Sequence, residues 1–360
     1  MAATAPEAVH GGADALGVPL HDFSTNSNAC GPCPVAVAAL QEADATHYPD
    51  PAYTGLRALL GALHGVDPAR IVVAGSASEF IARVTALAVR RGAKRVALPA
   101  HAYGDYAHAA AAWGLGVCRH GEPAAAPAGL MWACEPSSPL GTTDPVLAQW
   151  SGPAPAGTLR VLDCAYAPLR LDAVPGNGAD GPAAPASAPS APAWAAGTWQ
   201  LWTPNKALGL TGVRAAYAIA PAHAPPADLA ALVALAPSWP LGAPGVALLQ
   251  TWATPAAQRW LAGCLPTLRD WKAQQLALCE ALGWQAVPGS LANYVVARTP
   301  LRDLAAPLRA LRTHGIKLRD CASFGLAGHV RLGVLAPGAQ QALRAAWPLC
   351  VPGAAAGAEG

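Results

Sequence analysis

The residues best suited to chemistry fall in four short segments of a 360-residue chain that is otherwise poor in charge. Lys206 is one of four lysines, with Lys94, Lys272 and Lys317, and is the only charged residue in the stretch 198–213. A lysine stripped of water holds its proton less tightly and becomes a nucleophile that can bond an aldehyde carbon; a solvated loop lysine is the open alternative. Arg214, eight residues on, offers a fixed cation for a phosphate. Asp163, in Asp163-Cys-Ala-Tyr166, ends an apolar run. A carboxylate at the carboxyl end of a parallel strand, where such sheets hold ligands, would keep the nitrogen of a cationic heterocycle protonated; the same residue could close a local turn. Gly75-Ser76-Ala77-Ser78-Glu79 joins a strand to a helix. Its small residues let backbone N–H groups approach a phosphate, and a plain helix N-cap explains them equally. Arg331, in His329-Val-Arg331-Leu, puts a guanidinium on an apolar strand, which suits bidentate capture of a carboxylate or an exposed edge position.

These segments need a scaffold, and the pattern of apolar residues supplies one. Short strands at 71–74, 96–98, 130–134 and 160–163 alternate with helices at 55–64, 80–91 and about 106–113, after a shorter helix at 35–43. Such alternation implies an α/β chain with a mostly parallel sheet covered on both faces. Strands at 198–202 and 214–220 follow, then a helical region over 226–282 broken at 237–244. The last third reads as α+β: strands at 293–298, 316–319 and 329–334, a helix at 301–313 and a short closing helix. Residues 174–197 form a Pro/Ala/Gly/Ser-rich insert expected to be a mobile loop.

Composition narrows the class. Charged residues are 12% against a usual ~25%, yet no uninterrupted apolar run reaches the ~20 residues of a membrane span. The first ten residues have neither a basic start nor an apolar stretch, so a cytoplasmic protein without membrane attachment is expected. A net charge of +2 with scattered arginines argues against nucleic acid. Nine cysteines, odd in number and irregularly spaced, imply reduced thiols. Two motifs fail on context. Cys30-Gly-Pro-Cys33 copies a redox dithiol but follows a polar loop and has no second pair to complete a metal site. Gly176-Asn-Gly178-Ala-Asp-Gly181 matches a dinucleotide fingerprint but lies within the insert, without a strand before it or a helix after it.

Taken in order, D-x-x-Y at a strand end followed by K-x5-G-x-R resembles the fold-type I pyridoxal-phosphate enzymes, in the histidinol-phosphate aminotransferase branch. His10-Gly-Gly12, Asp22-Phe-Ser-Thr-Asn26-Ser-Asn28, Tyr48-Pro-Asp-Pro, Tyr103-Gly-Asp-Tyr106 and Arg319-Asp-Cys-Ala-Ser-Phe324 are similar to segments of the threonine-phosphate decarboxylases of cobalamin synthesis. The resemblance covers roughly residues 10 to 345. It implies a large cofactor-binding domain (46–235) with a mostly parallel seven-stranded sheet between helices, and a smaller α+β domain (236–352) that also takes the N-terminal arm (1–45). Residues 353–360 would be a disordered tail.

The resemblance also implies roles. Lys206 would bond pyridoxal phosphate and later move protons, Asp163 would pair with the ring nitrogen, Tyr166 with the ring's phenolic oxygen, and Tyr103 would stack on the ring. The Ser76–Ala77–Ser78 backbone, Arg214 and Asn205 would hold the phosphate, with Tyr48 reaching it from the partner of a homodimer. Arg331 would take the carboxylate of a small phosphorylated amino-acid substrate, with His10, Asn26 and Arg319 as further candidates for binding its anionic groups. One position departs: Glu135-Pro-Ser-Ser138-Pro-Leu-Gly141 has Ser138 where the family has an asparagine that donates to the phenolic oxygen, and a serine is shorter by about one bond. The N-terminal segments favour decarboxylation of threonine phosphate, with histidinol-phosphate aminotransferase or a related transaminase as the alternative. A cofactor-binding protein without turnover is the reading from another class.

Overall fold

A computed structural model describes residues 11–122, 127–150, 152, 154–172 and 197–351. The chain opens with β1 (His21–Asp22), α1 (Pro34–Gln41) and α2 (Thr54–His64). It then alternates through β2 (Ile71–Ala74), α3 (Ala77–Arg90), β3 (Arg95–Leu98), α4 (Gly104–Ala112), β4 (Gly116–Arg119), β5 (Leu130–Cys134), β6 (Leu159–Asp163), β7 (Thr198–Trp202) and β8 (Ala216–Ile219). Strands β2 to β8 form one seven-stranded sheet in the order β2-β8-β7-β6-β5-β3-β4. Only β8 runs antiparallel to its neighbours. Strands β2, β6 and β8 are short and buried on both faces, as a sheet covered by helices requires.

Side-chain alternation divides the core in two. In β2, Ile71 and Val73 enter the layer beneath α1 and α2, whereas Val72 and Ala74 enter the layer beneath α3 and α4. The second layer also takes α5 (Pro226–Ala234) through Leu232. The first takes α6 (Ala243–Trp252) and the front of α7 (Pro255–Ala281) through Leu248, Trp252, Leu261 and Leu268. Full burial of such side chains contributes about 1.5–3 kcal/mol each, so α6 and the start of α7 are fixed to the sheet.

The rest of the chain supplies β9 (Gln285–Ala286), β10 (Tyr294–Arg298), α8 (Ala305–Thr313), β11 (Ile316–Lys317), β12 (Arg319–Asp320), β13 (His329–Gly333) and α9 (Pro337–Cys350). A four-stranded antiparallel sheet, ordered β12-β13-β10-β9, packs against α8, α9 and the far end of α7. β1 pairs in parallel with β11.

Several expectations shift. The packing of α6 and the front of α7 extends the large unit past residue 235, and α1 joins that unit although it lies in the arm, while Phe23 of the arm joins the smaller core. The expected strand 316–319 is two short strands in different sheets, because β11 pairs with β1 and β12 with β13. β4 escaped the sequence reading because Gly116-Val-Cys-Arg is an edge strand with three of its four residues exposed. The closing helix is longer than expected, at 14 residues. The insert 174–196 and the tail lie outside the described residues.

Candidate active site

Five strand ends meet at one edge. β2, β3, β5, β6 and β7 are mutually parallel, so Gly75–Ser78, Tyr103, Ser138, Asp163 and Lys206 all leave the sheet at its carboxyl side. Backbone dipoles and loops at such an edge favour ligand binding.

Lys206 lies in a tight turn after β7, closed by Leu208 N–H donating to the Pro204 carbonyl (2.9 Å) and Leu210 N–H to that of Asn205 (2.8 Å). The N-terminal segment splints this turn. Asn28 N–H donates to the Lys206 carbonyl (2.9 Å), Asn28 Nδ2 to that of Ala207 (3.0 Å) and Cys33 N–H to that of Leu208 (2.9 Å). Gly209, at φ +70°, must be glycine, since a Cβ there would lie 2.6 Å from the Gly31 carbonyl oxygen. Cys30-Gly-Pro-Cys33 is therefore part of the splint. Burial and the nearby Cys264 thiol push the Cys30 thiol up to about 12, which removes the thiolate that redox chemistry needs.

The expectation of a dehydrated Lys206 is corrected. The residue is half-buried, and its Nζ lies 5.3 Å from the centroid of the Tyr166 ring. The more deeply buried lysine is Lys272, whose ammonium burial pulls down to about 8. Its Nζ donates to the carbonyls of Ser290 (2.6 Å) and Ala292 (2.7 Å) and to Ser290 Oγ (3.1 Å). Burial and donor occupancy thus differ between the two lysines.

Asp163 is buried at the end of β6. Its Oδ1 accepts from Ala165 N–H (2.9 Å) and its Oδ2 from the Tyr106 hydroxyl (2.7 Å). Burial raises its pKa, against the Tyr106 hydrogen bond and the Lys206 charge, which lower it. Tyr166 is buried, and its hydroxyl accepts from Asn26 Nδ2 (3.2 Å). Tyr103 meets Tyr106 edge-on (5.7 Å between centroids, 90°). Burial and the neighbouring Asp105 carboxylate raise the Tyr103 phenol, which stays protonated.

Ser76 caps α3: its Oγ accepts from Glu79 N–H (3.1 Å) while the Glu79 carboxylate accepts from Gly75 N–H (3.1 Å). This reciprocal arrangement is a capping box. It leaves the first N–H groups, of Ala77 and Ser78, without an acceptor inside the helix. The N-cap and phosphate readings are thus compatible. Ser78 Oγ donates to Asp105 Oδ2 (2.5 Å). Gly75 is needed because a Cβ would lie 2.8 Å from the Pro240 carbonyl oxygen. Ser138 is buried in a turn anchored by Tyr294, whose hydroxyl donates to the Ser137 carbonyl (2.7 Å). Buried Asn205 accepts from Lys206 N–H (3.0 Å), and its Nδ2 faces the Val213 carbonyl (3.4 Å).

On the smaller unit's side, Arg319 and Arg331 stand opposite each other in the β12–β13 pairing, both buried. Burial and the Arg331 charge lower the Arg319 pKa. Arg331 Nη2 donates to the Ser24 carbonyl (3.1 Å), and the guanidinium lies over the Tyr294 and Phe324 rings. Among the described residues Arg331 Nε and Asn26 Oδ1 are buried without a partner. Two expected members are less covered than the rest in the single chain. Arg214 is exposed, and Tyr48, 77% exposed, stacks on Trp239 (4.3 Å, 20°). His10 lies outside the described residues. Sequence reasoning gave no role to Tyr106, Asp105, Tyr294 or Lys272; for Tyr106 the i, i+3 spacing from Tyr103 was the available signal.

A seven-stranded sheet with one reversed strand and a lysine after β7 defines the fold-type I architecture of pyridoxal-phosphate enzymes. The chain belongs to the aminotransferase class I and II family, whose model matches residues 18–347. It is 30% identical over 330 residues to histidinol-phosphate aminotransferase 1 of Thiobacillus denitrificans, covering 87% of this chain and 80% of the relative. Among solved structures it resembles histidinol-phosphate aminotransferase from Sinorhizobium meliloti in complex with pyridoxal-5'-phosphate (TM-score 0.70, 22% identity, 91% of this chain and 89% of that one). It also resembles L-threonine-O-3-phosphate decarboxylase from Porphyromonas gingivalis (TM-score 0.69, 21% identity, 91% and 98%).

The family depends on pyridoxal phosphate, and the donor set here fits it. Asp163 has lone pairs left for a protonated ring nitrogen, the first N–H groups of α3 have no acceptor inside the helix and suit a phosphate, and Lys206 supplies an amine near the Tyr166 ring. No helix among the described residues is long and apolar enough to cross a membrane.

Proposed function

We propose that the chain is a pyridoxal-phosphate-dependent aminotransferase of the histidinol-phosphate type, acting on a small primary amine that carries a phosphate. The observation that carries this reading is the facing pair Arg319 and Arg331. Like charges directly opposite in a sheet repel; Arg319 Nη1 and Nη2 donate to the Asp320 carbonyl (2.7 Å) and Ser323 Oγ (2.8 Å), and the buried Nε of Arg331, without a partner among the described residues, would serve a substrate anion. The 30% identity to a histidinol-phosphate aminotransferase supports the same substrate class.

When bound, the cofactor supplies an electron sink for the bond broken beside the substrate amine. Lys206 would hold the cofactor covalently, and its Nζ, when free, would take a proton from the carbon beside the substrate amine and return it. Asp163 would hold the ring nitrogen's proton, Tyr166 would donate to the phenolic oxygen, and Tyr103 would cover a ring face. Ser76, Ala77, Ser78, Asn205 and Arg214 hold the cofactor phosphate. Arg319, Arg331 and Asn26, with His10, hold the substrate's anionic group. The active unit is a homodimer in which Tyr48 reaches the partner's site. That exposed ring is kept rigid by Trp239, which sits at φ +48° and donates from Nε1 to the Pro49 carbonyl (3.0 Å).

Decarboxylation of threonine phosphate is the second reading, in the cytoplasmic context of cobalamin synthesis. The arm favours it: Ser24 accepts from Arg331 and Asn26 donates to Tyr166, leaving Asn26 Oδ1 as an unpaired acceptor for a substrate amino group. Holoenzyme given histidinol phosphate with 2-oxoglutarate should form glutamate and the corresponding phosphorylated ketone, identified by mass. Threonine phosphate turned over with CO2 release and no 2-oxoglutarate requirement would establish the second reading instead. Arg331→Ala should weaken phosphorylated amines by on the order of 2–5 kcal/mol in kcat/KM. If phosphate-free analogues lose as much, the anion site is misassigned.

A further inference from the structure

Asp163 is asked to hold a charge in a place that disfavours it. The residue is buried, and burial pushes a carboxyl toward its neutral form. A neutral Asp163 would keep the proton on its own oxygen and leave a ring nitrogen unprotonated. Something must hold the carboxylate ionised before any ligand arrives, and hold it in one orientation.

Tyr106 meets both needs. Its hydroxyl donates to Asp163 Oδ2 at 2.7 Å, and a phenol that donates to a carboxylate stabilises the ionised form. Its ring cannot turn away: it is buried, stacked on Trp132 of the neighbouring strand β5 (4.3 Å, 11°) and met edge-on by Tyr103. With Ala165 N–H fixing Oδ1, each carboxylate oxygen has one donor from the protein and retains lone pairs for a further one. One turn of α4 thus offers a ring-stacking residue at its cap, Tyr103, and the anchor of the acid three residues on.

We propose that Tyr106 is a positioning residue that keeps the Asp163 carboxylate ionised and aimed at the cofactor's ring nitrogen, setting that nitrogen's protonation in the resting enzyme. This rests on the assignment of Asp163 to the ring nitrogen made above.

The test uses holoenzyme reconstituted with pyridoxal phosphate carrying 15N in the ring. In Tyr106→Phe, which preserves the ring stacked on Trp132, the nitrogen resonance should move toward the unprotonated position. kcat should fall by roughly ten- to a hundredfold, as expected for one hydrogen bond to a charged group, with KM little changed. Placing 3-fluorotyrosine at 106, a stronger donor, should move the resonance the opposite way. Asp163→Asn is the reference. If it shifts the resonance while Tyr106→Phe leaves it at the wild-type position, the inference is overturned even if kcat drops. If Asp163→Asn leaves the nitrogen protonated, the assignment of Asp163 fails first and the role of Tyr106 goes with it.

Discussion

Two lysines in this chain are held in opposite ways. Lys272, on the long helix α7, is the more deeply buried, and all three of its donors are spent on the segment 290–292. That segment in turn meets the turn carrying Ser138: Leu291 N–H donates to the Gly141 carbonyl (2.7 Å), and Gly141 leaves no room for a Cβ against Ser290. Lys206 is half-buried, with its amine near the Tyr166 ring and its backbone, rather than its side chain, tied to the N-terminal segment. One lysine uses its side chain to fasten the structure. The other has its backbone fastened so that its side chain is available.

Substitution should separate the two roles. Lys206→Ala should lower kcat by about 10^4-fold or more and abolish the lysine-linked cofactor mass recovered after borohydride reduction, with the melting temperature of the cofactor-free protein almost unchanged. Retention of that mass at another residue would remove Lys206 from its role. Lys272→Met should do the reverse. It strands the Ser290 and Ala292 carbonyls and should cost about 3 kcal/mol of stability in denaturant unfolding, while cofactor linkage at Lys206 persists. An unfolding midpoint equal to that of the parent protein would show that Lys272 is not a fastener.

The smallest effect concerns the other side of the sheet. His64 accepts or donates at Nε2 with the Tyr217 hydroxyl (2.7 Å), and burial pulls its pKa from 6.5 to about 4. The unfolded chain therefore binds this proton at a higher pH than the folded one. Stability should be full above pH 6.5 and should decline as pH falls toward 4, by on the order of 2 kcal/mol. His64→Gln should flatten the loss over that interval, and a curve of unchanged slope would assign it to other groups.

Much of the scaffold was legible because its signals are local. Ile71–Ala74, Leu130–Cys134 and Thr198–Trp202 are apolar runs bounded by turn residues, and each forms a strand with those limits. The order of Asp163, Tyr166 and Lys206 was legible for the same reason, since each follows a strand end. What could not be read depends on distant partners. Tyr294 reaches Ser137 across 157 positions, and Tyr106 reaches Asp163 across 57. The large unit's limit was misread because the Pro-rich break at 237–244 looks like a boundary, whereas Leu241 and Leu248 return to the sheet. Lys206 was credited with dehydration from the apolar residues around it in sequence, but side chains near in sequence need not cover one another in space.

The Gly31–Gly209 contact has a consequence for biosynthesis. All seven strands of the main sheet have left the ribosome once Ile219 emerges, and the splint 28–33 was made long before. A nascent chain halted there could already seat the lysine turn on its support, yet Arg319 and Arg331 would still be unmade. In order of synthesis, the turn carrying Lys206 and its splint thus precede the strands that carry Arg319 and Arg331.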